Sequence, residues 1–234
     1  MTFRDGSGAE VDGIAFVDGA GNWLLQHVDI SSLDEGTITV EAYAEDMAGN
    51  QSNVVTADVT HDSIAPAAPA ITGFSDDTGA QGDFRTNDNT VTLAGTAVAN
   101  ATIEIFDGLT SLGTATADGN GDWSFTSAAL ADGNHSFTAR AEDAAGNPSA
   151  LSGALNLAID TNAPGITITG PISGDGYVNA SEDNTLAISG TAEGGQRVFV
   201  TLTDGLGAYV SREASVSGTG DWTLTGIDIS GLQN

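Results

Sequence analysis

A period of about a hundred residues runs through this chain, and it limits the fold more than any other feature does. Three tryptophans follow a short turn in the same context: "VDGAGNWLL" at Trp23, "ADGNGDWSF" at Trp123 and "SGTGDWTL" at Trp222, spaced 100 and 99 residues apart. The stretch "THDSIAPAAPAI" at 60 to 71 returns as "AIDTNAPGITI" at 158 to 168, and "TLAGTAVANATIEIFDG" at 92 to 108 returns as "AISGTAEGGQRVFVTLTDG" at 187 to 205. AEDMAGN at 44 to 50 returns as AEDAAGN at 141 to 147, 97 residues on. A repeat of that length is the size of one β-sandwich domain.

Strand signals agree. Runs such as "ATIEIFDG", "WSFTSA", "HSFTARAED" and "LNLAID" are short, alternate apolar with polar, and are rich in Thr, Ile, Val and Phe. No segment carries a helical period. Asp-Gly, Gly-Asn and Asn-Gly pairs punctuate the runs, the chemistry of tight turns that need positive φ, and they account for 12 of the 31 glycines. The middle repeat reads as about seven strands, 69–74, 90–97, 101–107, 111–117, 122–127, 134–142 and 152–160. The expected fold is therefore all-β: tandem immunoglobulin-like sandwiches of about seven antiparallel strands each, arranged as beads on a string. Residues 63–161 form the complete repeat. Residues 1–62 match only the later part of one and lack its first strands, while residues 162–234 lack the last. Incomplete repeats would expose unpaired edges. The carboxy-terminal piece of one molecule is expected to complete the amino-terminal piece of another, giving head-to-tail self-association.

Charge narrows the partners. Thirty-two acidic residues stand against five arginines and no lysine, a formal charge of −27, so nucleic-acid phosphates and anionic membranes are repelled. Carboxylates at this density repel one another, and a hard divalent ion bound through oxygen is the usual remedy. The absence of cysteine excludes disulfides and thiolate metal sites. No apolar run approaches the roughly 18 residues of a membrane span, so direct membrane insertion is not expected. "MTFRDGSGAEVDG" has neither the basic start nor the apolar stretch of a signal peptide, and Met1 reads as the edge of a fragment.

The combination of a "DxxAP" linker, an "SGTA" strand, a "DGNGDW" turn and an "AEDAAGN" loop resembles the bacterial immunoglobulin-like repeats of large secreted adhesins. Those repeats form the extender regions of RTX, type I-secreted and biofilm-associated surface adhesins. The resemblance covers essentially the whole chain, and the segments "ISGDGYVNASEDNTLAISGTAEGG" and "DDTGAQGDFRTNDNTVTLAGTA" are similar to two subfamilies of one module. It implies an extracellular, cell-surface, mechanical role in adhesion and biofilm formation. Calcium at and near the junctions would stiffen the string, and neighbouring repeats would be the partners. In a calcium-poor cell interior such a chain would stay loose for export and stiffen outside.

Acidic residues concentrate where a sandwich would turn. Calcium takes six to eight oxygens, and two facing sandwich poles can supply them. The entry linker, "DGNGD" and "EDAAGN" should gather at the near pole of the middle repeat, and the loop at 75 to 89, "DGLTS" and "DTNAP" at the far pole. The first joint then offers Asp62, Asp5, Asp143 and Asn147. The second offers Asp160, Asp76, Asp77, Asp83 and Asp107, and the third repeat offers Asp175, Asn179, Glu182 and Asp183.

Other chemistry is weakly supported. "DGNGD" at 118 to 122 begins like an EF-hand loop, but Trp123 replaces the required glycine and Ala129 stands where the bidentate Glu belongs, so a hairpin is the reading. No GGxGxD repeat occurs. The sequons at Asn50, Asn100, Asn134 and Asn179 are at the level of chance in a chain this rich in Asn, Ser and Thr. His27, His61 and His135 do not recur in register and read as surface residues, and no catalytic triad context exists. An enzyme would need a non-repeated segment for its site, so none is expected. The recurring tryptophans read as core. The rival function is a carbohydrate-, ice- or host-protein-binding module of the same kind of surface protein. It would need an aromatic cluster or a regular Thr array in one repeat only, and neither is present.

Overall fold

The computed structural model describes residues 1–170, 172, 178, 185–194 and 196–232. They form two compact units, Met1–Thr161 and Asn162–Asn234, and every regular element among the described residues is a strand. The first unit opens with β1 (Thr2–Arg4), β2 (Glu10–Asp12), β3 (Gly36–Ala42) and β4 (Val55–His61), an antiparallel sheet in the order β2-β1-β3-β4.

The middle repeat follows with β5 (Ala70–Phe74), β6 (Arg85–Thr86), β7 (Thr92–Thr96), β8 (Thr102–Asp107), β9 (Thr110–Thr116), β10 (Asp122–Thr126), β11 (Gly133–Glu142), β12 (Pro148–Leu151) and β13 (Leu155–Ile159). One sheet has the order β10-β7-β5. The other runs β6-β13-β11-β8-β9, with β12 pairing β11. All seven expected strands are present, and two short ones are added. The two residues of β6 pair in parallel with β13 and cover a sheet edge that would otherwise be open.

Alternation produces the core. Along β11, Phe137, Ala139 and Ala141 point inward and are fully buried; Ile103 and Ile105 of β8 do the same from the neighbouring strand, and Leu93 and Trp123 meet them from the opposite sheet. The second unit comprises β14 (Leu186–Thr191), β15 (Arg197–Thr203), β16 (Tyr209–Ser215) and β17 (Asp221–Ile227), pairing β14 with β17 and β15 with β16. Its core holds Leu186, Ile188, Val198, Val200, Trp222 and Ile227.

The tryptophans do not all behave as one sequence pattern suggests. Trp123 and Trp222 are 4 % and 1 % exposed, but Trp23 is 51 % exposed. The cause lies in the partner strand. Trp123 pairs with Gly95 of β7 and Trp222 with Gly190 of β14, so each indole lies across a residue without a side chain. A Cβ at Gly95 would overlap the Ala70 carbonyl oxygen and the Trp123 ring; one at Gly190 would overlap the Thr167 carbonyl oxygen and the Trp222 ring. This is the physical reason for "AGT" and "SGT" in the repeats. Among the described residues no such strand lies beside Trp23, and its core role is corrected accordingly.

Gly95→Val should therefore destabilise the middle repeat by about 3 kcal/mol or more, because the clash is with backbone as well as ring. Denaturant unfolding would measure it, and a loss under about 1 kcal/mol would remove this account of the glycine.

Candidate functional site

The acidic poles are made of one turn used many times. In AEDAAGN the Asp143 N–H donates to the Asn147 carbonyl (3.3 Å) and the Gly146 N–H to the Asp143 carbonyl (3.2 Å). Gly146 has φ of +91°, the left-handed conformation that glycine adopts without steric cost. The Asp143 carboxylate closes the loop: its Oδ1 accepts the N–H groups of Ala145 and Asn147, both at 2.9 Å, and its Oδ2 accepts Asn147 Nδ2 at 3.0 Å. Asp46 makes the same bonds in AEDMAGN. Asp18, Asp118 and Asp204 close three further loops through the N–H groups two and four residues on. Donation from backbone N–H groups favours the ionised carboxylate, so the pKa values of Asp18, Asp118 and Asp143 lie below the ordinary value. Asp46 is lowered first by the Asn50 side chain and then by the same backbone groups.

Asp5 is the most heavily engaged of these. Its Oδ1 accepts the Ser7 N–H (2.9 Å), the Ser7 hydroxyl (2.7 Å) and the Ala9 N–H (2.9 Å), and its Oδ2 accepts the Asp34 N–H at 2.8 Å. The Asp34 N–H is the strongest of the influences that hold its pKa at about 2.

At the first joint the linker between His61 and Ala70 is bonded on both sides. The Asp62 carbonyl accepts Asn147 Nδ2 of the middle repeat at 3.0 Å, while the Asp62 carboxylate accepts the Ile64 N–H at 3.2 Å. On the other side the Ser63 N–H donates to Glu35 at 2.9 Å and the Ser63 hydroxyl donates to the same carboxylate. Asp62, Asp143 and Asn147 thus meet in a single neighbourhood, whereas Asp5 serves its own loop and Asp34.

The far pole of the middle repeat gathers as its topology dictates. Asp107 accepts the Ser136 N–H through Oδ1 (3.0 Å) and faces His135 Nδ1 through Oδ2 (2.7 Å). The other ring nitrogen of His135 faces the Ala131 carbonyl at 2.9 Å. Burial alone would lower the imidazole, but the Asp107 carboxylate and the Ala131 carbonyl outweigh it and its pKa is raised. His135 is thus a partly buried, paired residue and not the free surface histidine expected. The Asp160 N–H donates to the Thr86 carbonyl at 2.9 Å, and the Thr86 hydroxyl donates to the Asp76 carbonyl at 2.5 Å. Asp76 itself has φ of +60°. Asp83 Oδ1 accepts the Arg85 N–H at 3.0 Å, and Asp77 Oδ2 accepts the Gly82 N–H at 2.5 Å. Asp77 Oδ1 is buried and has no hydrogen-bond partner.

These placements bear on a cation. Among the described residues no three His, Asp or Glu side chains are grouped as metal ligands. At the near joint the Asp5 and Asp143 carboxylates are taken up by N–H groups and do not fit a cation as they stand. Asp77 Oδ1 does fit one, since a buried oxygen with no donor is what a hard cation satisfies. Asp175, Asn179, Glu182 and Asp183 lie outside the described residues.

Two joint residues escaped the sequence reading, Glu35 and Asp132. Asp132 Oδ1 accepts the Thr161 N–H (3.1 Å) and the Thr161 hydroxyl (2.8 Å), as Glu35 does for Ser63. The signal was present in register: Glu35 and Asp132 are 97 residues apart, and each precedes the glycine that opens the strand after it.

The bacterial Ig-like domain pattern matches residues 65–161, and a bacterial Ig-like domain of group 3 matches residues 119–208. No curated protein matches. A tetra-tandem repeat in the extending region of a large adhesion protein is 31 % identical, over 99 % of this chain and 58 % of that one, with a TM-score of 0.34. A Ca²⁺-stabilised adhesin that helps an Antarctic bacterium reach out and bind ice is 25 % identical, over 96 % of this chain and 55 % of that one, with a TM-score of 0.42. A BSP domain of a biofilm associated protein is 22 % identical over 69 % of this chain, with a TM-score of 0.32, and this chain spans 25 % of it.

The acid response of Asp5 follows in sign from its hydrogen bonds. A carboxylate whose folded pKa is depressed stabilises the fold above its unfolded pKa of about 4, and that contribution is lost as pH falls through the folded value. Asp5→Asn should lower the melting temperature at pH 7, and the gap to the parent protein should shrink as pH falls from about 4 toward 2. A gap independent of pH across that range would contradict the assignment.

Proposed function

This chain belongs to the bacterial Ig-like domain family, and on that premise we propose that it is a structural extender segment of a bacterial cell-surface adhesin. Its work is mechanical: it holds a distal adhesion domain away from the cell, in the extracellular space, for adhesion and biofilm formation. Its partners are neighbouring repeats of the same adhesin. It carries out no catalysis in this reading, and RTX-type export by type I secretion is part of the same proposal.

The observation that carries the reading is the first joint. A flexible tether between independent domains would leave its backbone to water. Here the few residues after His61 are bonded to Glu35 on one side and to Asn147 on the other. The exit from the middle repeat is clamped to Asp132 in the same way. Bonds of this kind are useful to a chain that must transmit length and direction.

Calcium is the proposed stiffener, with Asp77 as its first ligand at the far pole and Asp76 and Asp83 beside it in sequence. When bound there, the ion would supply positive charge to a buried oxygen that no protein donor satisfies and would fix the loop leading to Arg85. At the near joint Asp62 is the carboxylate best placed, since Asp143 and Asn147 close their own loop. The charge of −27 supports the reading, because each bound divalent ion relieves repulsion among carboxylates.

A thermal melt and small-angle X-ray scattering on the chain, in millimolar CaCl₂ and again after EDTA, would test this. Calcium at about a hundredfold over its Kd should add about 2.7 kcal/mol to the stability of the repeat that binds it. Asp77→Asn should remove most of the increment. Equal melting temperatures and equal maximum dimensions in both solutions would remove the calcium-stiffened rod.

A further inference from the structure

On the larger sheet of the middle repeat a cleft of about 480 Å³ lies over β6, β13 and β11. Clefts that hold small ligands run from roughly 300 to 1,000 Å³. Strand alternation sets its walls. Thr86, Leu157, Ile159 and Phe137 are buried, so Arg85, Asn156, Ala158 and Ser136 beside them face outward, and Asn134 shares the alternation of Ser136. Register then places them: Ala158 stands between Arg85 on one side and Asn134 on the other, and Asn156 lies opposite Ser136. The small Ala158 is a floor between two longer polar side chains whose backbones are two strand spacings, about 10 Å, apart. Among the described residues Arg85 joins no ion pair, and the carboxamides of Asn134 and Asn156 have no hydrogen-bond partner. None of the three recurs. Aligned on Asp-Asn-Thr at 88–90 and 183–185, Arg85 corresponds to Ala180; offset by 97 residues, Asn134 corresponds to Thr37. Asn156 lies opposite Ser136 as Asp58 lies opposite Thr39, and there the Asp58 carboxylate accepts the Thr39 hydroxyl at 3.0 Å. The β3-β4 pair forms with Thr37 and Asp58 in those places, so the sheet does not require the asparagines.

We propose that this cleft binds a neutral sugar ring, one hexose unit of a polysaccharide. The groups present select that ligand. Arg85 only donates hydrogen bonds, each carboxamide both donates and accepts, and Asp83, which also lines the cleft, only accepts. An anion would use the donors and leave Asp83 facing it, against a net charge of −27; a cation would use the acceptors and face Arg85. Hydroxyl groups donate and accept at once and satisfy both kinds. Neighbouring hydroxyls on a ring also match the coplanar donors of a guanidinium and the donor–acceptor pair of a carboxamide. Recognition of this kind needs no aromatic cluster, and three separate segments of the chain supply it, so the sequence gives no local sign of it. The extender would then hold glycan through its own middle repeat, apart from whatever its distal domain holds.

The test is a ¹H–¹⁵N NMR titration of the whole chain, in EDTA, with the methyl glycosides of glucose, galactose and mannose, each taken to tens of millimolar. The expected result is a saturable shift of the Asn134 and Asn156 side-chain amides and of the Arg85 Nε–H with at least one of the three. Arg85→Ala and Asn156→Ala, both at exposed positions, should each weaken that binding about tenfold while the remaining resonances stay those of the folded chain. Four results would each overturn the proposal. The folded chain could show no shift with any of the sugars. Glucuronate could bind more tightly than the neutral sugars, which would mark an anion site. The variants could bind as well as the parent chain, which would place the sugar elsewhere. The shifts could appear only when CaCl₂ replaces EDTA, which would assign the sugar to a bound ion and not to these side chains.

Discussion

The contact between a tryptophan ring and a glycine on the next strand is what the sandwich is assembled around. It sets register, because only the Trp123–Gly95 and Trp222–Gly190 pairings let the indole lie flat against the neighbouring backbone. It also joins the core, since Trp123 shares one buried cluster with Leu93 and Ile103 in the middle repeat. The first repeat displays the dependence by contrast. Its β3-β4 pairing is intact over seven residue pairs, from Gly36↔His61 to Ala42↔Val55, yet Trp23 is exposed, with no glycine strand beside it among the described residues. Strand pairing alone does not bury a ring of that size.

Around that core the chain manages an unusual surplus of negative charge. Cations within the protein are few, and three of the five arginines face a cross-strand glutamate: Arg4 with Glu10 at 2.7 Å, Arg140 with Glu104 at 2.7 Å and Arg197 with Glu213 at 3.4 Å. Many of the other carboxylates are satisfied by backbone N–H groups inside tight loops. This choice places many acidic residues in the loops at the ends of the strands, while three that lie within the sheets, Glu10, Glu104 and Glu213, face an arginine, since like charges directly opposite one another would be destabilising. The same choice leaves little for a metal at the near joint, and makes the unpaired oxygen of Asp77 stand out.

The fold was legible in the sequence because each strand is bounded by turn chemistry and because the repeat supplies each landmark more than once. The short β6 and β12 were not, since two to four residues pairing along an edge leave no periodic trace. For the candidate site the gathering of loops could be read from strand alternation, while the state of each carboxylate could not. Asp143 and Asp77 are both an acid in a Gly-containing loop; only the positions of nearby N–H groups separate a carboxylate that is fully occupied from one with a bare oxygen. Trp23 was misread because the recurrence of its own context says nothing about a missing partner. His135 was misread because its partners are set by the long-range antiparallel pairing of β11 with β8, which brings Asp107 to it, and by the loop before β11, which brings Ala131.

The Asp-closed loops have a further consequence, for chemical ageing. Asp-Gly and Asn-Gly sequences are where polypeptides form succinimides and isoaspartate, through attack of the following backbone nitrogen on the side-chain carbonyl. In the loop at 118 to 122, Asp118 Oδ1 is held by the N–H groups of Asn120 and Asp122, and the Gly121 nitrogen that would attack Asn120 donates to the Asp118 carbonyl at 3.0 Å. The carboxylate is also kept ionised, the form least open to ring closure. The geometry of this turn thereby carries protection against a slow covalent damage to which Asp-Gly and Asn-Gly sequences are prone.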